Sequence, residues 1–147
     1  MRAILARMQR AAPGGIVALS GLAAGADTIF AETALACGIP LEACLACDDI
    51  AENFAPGPQR KRFYELVARS RHVHRLPFVE RSNTAYMALG HWLVDSSDLL
   101  IAVWNGLPAV ALGGTGDVVA YARQQGQPVV HVHPVEKKIT LLKHVNA

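Results

Sequence analysis

The sequence is poor in the features that would place it outside the soluble globular class. No apolar run approaches the roughly 18 to 20 residues that span a bilayer, which argues against a membrane protein. The net charge is only +2, too small a surplus to argue for nucleic acid or an anionic membrane surface. The cysteines Cys37, Cys44 and Cys47 make an odd set with no secretory signal before them. No disulfide framework is implied, and a reducing, cytoplasmic compartment is expected. Internal repeats and low-complexity tracts are absent. So are acids through the first 26 residues, where Arg2, Arg7 and Arg10 stand alone. An organellar transit peptide shares that balance, but the apolar segment from Ile16 runs straight on into a strand and loop pattern, as a folded chain would.

What is present is a core. Over 147 residues, 52% are hydrophobic, enough for one compact domain spanning residues 1–147 and too short for a second of ordinary size. Met1 to Ala12 reads as a short basic helix ended by Pro13-Gly14-Gly15. "IVALSG" reads as a buried strand, "AGADTIFAETALACG" as a helix closed by Gly38, and "PLEACLAC" as the next strand. Asp48 to Pro58 reads as a loop, "QRKRFYELVARS" as a helix, and "HVHRL" as a short strand. "SNTAYMALGHWLVDSS" follows as a helix capped by Ser82 or Asn83, and "DLLIAVW" is the clearest buried strand. A loop, a helix after Gly116 and the strand "PVVHV" complete the pattern. Alternating apolar strands and amphipathic helices predict an α/β fold, a Rossmann-like, doubly wound, mostly parallel sheet covered on both faces.

In such folds ligands sit where strand ends turn into helices, and two glycine-rich loops occupy such places. "GGTGD" precedes a helix whose first N–H groups lack intrahelical acceptors and can face an anion, with Thr115 adding a hydroxyl. Asp117 would repel that anion, so it either caps the helix or meets a ribose hydroxyl or a base amine. "SGLAAGAD" repeats the arrangement with Ser20, Gly21, Gly25 and Asp27. A tight turn is the plain alternative for each loop, and the two together favour a nucleotide-sized cleft.

Three ordered blocks, "LSGLAAGADTIFAETALACGIPLEACL", "YMALGHWLVDSSDLLIAVWNGLPA" and "GGTGDVVAYARQQGQPVVHVHP", cover about half the chain. Together they resemble the SLOG family of Rossmann-like proteins, related to the LOG phosphoribohydrolases and to the DNA-processing protein A family. The resemblance implies binding of a nucleotide or nucleotide-derived ligand, as a sensor or, alternatively, as a hydrolase or transferase acting on a nucleotide's N-glycosidic bond. It implies ligand contacts from Ser20, Gly21, Gly25 and Asp27, and from Gly113, Gly114, Thr115, Gly116 and Asp117. Asn105, between Trp104 and Gly106, stands where the family has an aspartate. In the hydrolases the glycine motif leads through a threonine to a catalytic glutamate, and the corresponding positions here hold Asp117 and Ala120. Alanine cannot act as a general base, which leaves Asp27 and Asp117 as the candidate catalytic carboxylates.

The family also begins with a strand before its first helix. This chain starts in that helix, so a truncated N-terminus or misplaced start is expected first, with a sheet that closes differently or a strand donated by another chain as the alternatives. A SLOG-like domain of this sequence is expected to hold a phosphate at Gly113 to Gly116 and a ribose or base near Asp27 and Asp117. No cofactor beyond the nucleotide and no metal is implied, and the oligomeric state, a homo-oligomer included, is open.

Remaining features have plainer readings. Cys44 and Cys47 have C-x-x-C spacing without a second ligand pair, and read as core residues. His72 with His74, and His131 with His133, share strand faces without a metal-binding pattern. "QRKRF" reads as a solvated helix face, Trp104 as packing, and Tyr86 as either packing or a stacking platform.

Overall fold

A computed structural model describes residues 1–143. The chain has an α/β fold and divides into two compact units, Met1–Glu80 and the residues from Arg81 onward.

In the first unit α1 (Arg2–Ala11) is followed by β1 (Ala18–Ser20), α2 (Ala26–Ala36), β2 (Leu41–Leu45), α3 (Pro58–Arg69) and β3 (His72–Arg75). The strands form a parallel sheet in the order β1-β2-β3. Ala18, Leu41, Ala43 and Leu45 are buried in its core, as expected when helical crossovers cover a parallel sheet. Gly38 ends α2 at φ 72, with Gly38 N–H donating to Leu35 O at 3.0 Å and Ile39 N–H to Ala34 O at 2.9 Å. This is the paired closure that a left-handed residue makes possible after a helix. The segment expected as an open loop from Asp48 to Pro58 contains a short 3-10 turn, Ile50–Asn53. It forms because Ile50 and Phe54 are buried, with Phe54 against Phe63 of α3 at 4.9 Å between ring centroids.

In the second unit α4 (Asn83–Asp95) leads to β4 (Leu100–Val103), α5 (Thr115–Gln124), β5 (Val129–Val132) and β6 (Ile139–Leu142). Ser82 caps α4 by accepting from Ala85 N–H at 3.0 Å, which decides between the two cap candidates. β4 pairs parallel with β5, and β6 returns antiparallel on the far side of β5. Val94, Val119 and Ala122 pack against Ala102 and Val129, so both helices lie on the sheet face that carries Leu100, Ala102 and Val129. Gly90 makes that helix pair close, because a Cβ there would stand 2.5 Å from Val118 Cγ2.

Two expectations need adjusting. α5 begins at Thr115 rather than after Gly116, since Gly114 already serves as the residue before the first turn. β6 was not expected, because "ITLL" is too short to show a period of its own and becomes a strand only by pairing with β5.

Candidate functional site

The loop joining β1 to α2 is built around Ser20 and Asp27. Ser20 Oγ accepts from Leu22 N–H at 3.1 Å and donates to the Asp27 carbonyl at 3.2 Å. Asp27 Oδ2 accepts from Ala23 N–H at 3.3 Å. Gly21 and Leu22 are buried, and Leu22 sits in the left-handed region at φ 53, a conformation that costs a side-chain-bearing residue about 1–2 kcal/mol. The surrounding hydrogen bonds and the burial of Leu22 hold it there. Nothing in the residue type leucine signals this.

Gly25 follows at φ 99, exposed, and a Cβ on it would meet no atom within 4 Å. Among the described residues no acceptor meets the N–H groups of Ala24, Gly25 or Ala26. Three adjacent amides therefore stand open at the positive end of an 11-residue helix. Beside them, burial pushes the Asp27 carboxyl above the ordinary aspartate range, against the opposing pull of the Ala23 N–H.

The second loop uses its glycines differently. Gly113 has φ 86, and a Cβ on it would stand 2.7 Å from Met87 N and 3.0 Å from Asn83 O. Gly116 would place a Cβ 2.8 Å from Ala109 N and 3.0 Å from Leu107 O, and Gly114 would place one 3.0 Å from Ala109 Cβ. Gly113 and Gly116 thus have a steric reason inside the unit, since the backbones of α4 and of the 107–109 segment approach too closely for a side chain, while a Cβ on Gly114 would only press on that of Ala109. Asp117 closes the loop on itself, its Oδ2 accepting at 3.0 Å from the N–H of Gly113, which lies outside the first turn of α5. The amides of Thr115 and Gly116 have no acceptor among the described residues, and Thr115 is exposed.

Asn105 belongs to the same neighbourhood through the segment that presses on Gly116. Its Oδ1 accepts from Leu107 N–H at 3.0 Å, and Trp104 Nε1 donates to Leu107 O at 2.7 Å. Gly106 takes φ 82 between them. The structure thus brings together Asn105, Gly113, Gly114, Thr115, Gly116 and Asp117 in the second unit. In the first unit it brings together Ser20, Gly21, Gly25 and Asp27.

No family model matches the chain, and no curated protein matches it.

The other candidates resolve locally. Trp104 is tied to its own turn, with its ring 5.2 Å from that of His131, whose Nε2 lies 2.7 Å from Trp104 O. Arg62 pairs with Glu32 of α2, Lys61 lies 3.9 Å from Glu65, and Arg60 donates to Phe54 O at 3.0 Å. The "QRKRF" cations are therefore engaged within the first unit. Cys44 and Cys47 are buried, and burial pushes the Cys44 thiol up to about 11. Glu42 lies 2.6 Å from Arg71 and 3.2 Å from His74, and Arg71 foremost, with His74, holds its carboxyl below the usual range. Among the described residues no three His, Cys, Asp or Glu side chains converge on a metal position. No helix among them is long and apolar enough to cross a membrane.

Proposed function

We propose that this chain binds a nucleotide or nucleotide-derived ligand, in the manner of the SLOG-like proteins its sequence blocks resemble. The observation that carries the reading is the open first turn of α2, where the amides of Ala24, Gly25 and Ala26 have no acceptor and the space before Gly25 is empty. Backbone donors at a helix N-terminus match a phosphate in charge and hydrogen bonding. The amides of Thr115 and Gly116 offer the same chemistry at α5. Gly113 and Gly116 do not add to this argument, because the unit's own packing accounts for them.

A second reading, cleavage or transfer at a nucleotide's glycosidic bond, is favoured by one observation. Asp27 stands in the first turn of α2 beside the open amides, where burial pushes its carboxyl above the ordinary aspartate range, as suits a general acid. The test is thermal unfolding of the chain with AMP, ADP, ATP, NAD, ADP-ribose and cyclic nucleotides, followed by chromatography of each mixture. A ligand that raises the melting temperature and returns intact supports the binding reading. Free base in the mixture, lost in Asp27→Asn, supports the enzyme. No shift and no free base with any of them overturns both.

A further inference from the structure

The last strand of the second unit has an unused side. Among the described residues β6 has β5 as its one strand neighbour. His133 N–H donates to Lys138 O at 2.8 Å. In an antiparallel ladder the inward-facing backbone groups then recur at Thr140 and Leu142, and those of Ile139 and Leu141 point outward. These two residues also carry exposed aliphatic side chains, Ile139 at 57% and Leu141 at 49% exposure. Register places Leu141 in a row with Val130 and Ile101, and Ile139 in a row with Val132 and Val103. Both rows lie on the face away from α4 and α5. Lys137 and Lys138 precede the strand and Lys143 follows it, all exposed. Glu136 is turned toward His133, with 4.0 Å between Oε1 and Nε2, so both ends of the edge present positive charge.

We propose that β6 is a docking edge for an extended peptide segment with two aliphatic residues two positions apart and acidic residues on either side. Added as a fourth strand, such a segment pairs with the outward groups of Ile139 and Leu141, prolongs the two aliphatic rows, and sets its carboxylates beside the lysines. The alternative occupant, a second copy of this chain, fits poorly in the register that would pair both aliphatic residues. Antiparallel pairing of two β6 strands about Thr140 aligns Ile139 with Leu141 but also puts Lys137 opposite Lys143 of the second copy, at both ends. Like charges directly opposite are destabilising.

The probe is a fluorescein-labelled peptide, Asp-Glu-Val-Thr-Val-Glu-Asp, titrated with the full chain by fluorescence anisotropy. Saturable binding that weakens with added salt is expected. Leu141→Pro removes an outward N–H that β5 does not use, and proline is tolerated on a free edge, so affinity falls about tenfold or more while the melting temperature holds. N-methylation of the peptide's central amides produces the same loss against the unaltered protein, which keeps the test independent of the variant's folding. Lys137→Glu with Lys143→Glu reverses the preference to a lysine-flanked peptide. Absence of saturable binding, indifference to N-methylation, or a chain that elutes as a dimer dissociated by Leu141→Pro would each overturn the proposal.

Discussion

Ala26→Pro isolates the proposed anion site from the fold. α2 begins with Gly25 at φ 99, ψ −120, its carbonyl accepting from Ile29 N–H at 3.1 Å. α3 begins in the same way, with Gly57 at φ 102, ψ −138 and its carbonyl accepting from Lys61 N–H at 3.0 Å. There the next residue is Pro58, and the helix forms. The equivalent position in α2 is Ala26, whose N–H bonds nothing among the described residues, so proline removes a free donor and no helical hydrogen bond. Stability should hold or rise by roughly 0.4–1 kcal/mol through the stiffer unfolded chain, a gain of a few degrees at most in melting temperature. Ligand binding should suffer, because a hydrogen bond to a charged group contributes about 1.5–3 kcal/mol, or roughly ten- to hundredfold in Kd. The assay is isothermal titration with the nucleotide that gives the largest thermal shift, beside a melting curve of the free variant. An unchanged Kd in a stable variant refutes α2 as the anion site. A fall in melting temperature refutes the equivalence of the two helix starts.

Three further outcomes follow from the geometry. Gly113→Ala forces a Cβ to 2.7 Å from Met87 N at positive φ and should cost about 2–4 kcal/mol in urea unfolding, whereas Gly14→Ala, with nothing within 4 Å, should stay within about 0.5 kcal/mol. The raised pKa of Asp27 means that the folded state binds more protons than the unfolded one from the ordinary aspartate pKa up to the raised value. Stability should therefore decline as pH rises through that window, and Asp27→Asn should remove this component from stability measured against pH. Finally, Cys37 is partly exposed while Cys44 and Cys47 are buried. A thiol reagent should label Cys37 in the native protein and reach the other two only in denaturant, and fast native labelling of Cys44 would contradict its position in the core.

The alternation of strand and helix was legible because it is written in short-range pattern. A glycine after a helix, a serine before one and an aliphatic run of four to six residues each act through neighbours a few positions away. Gly38 and Ser82 accordingly lie where their local chemistry indicates, and "DLLIAVW" holds β4, although of that strand only Ala102 is buried and β2 is the more buried one. The Ser20 to Asp27 loop was legible as a candidate for the same reason, since its hydrogen bonds join residues no more than seven positions apart.

The role of Gly113 within the candidate site depended on a contact that no short window of sequence contains. Gly113 owes its lack of a side chain to the backbone of α4, 26 to 30 residues earlier. "GGTGD" looks like a phosphate cradle in sequence, although Gly113 answers to the backbone of α4 and Gly116 to the 107–109 segment of its own loop. Gly25, in a loop that repeats the same arrangement, borders open space instead. β6 is a strand only because β5 offers it a ladder, and its exposed aliphatic edge appears only once register is fixed. By itself the sequence determined the order and type of the main elements, because helix caps and hydrophobic period are local. The tertiary structure decided which glycines serve packing and which amides remain free, because both depend on what the rest of the chain brings within 3 Å.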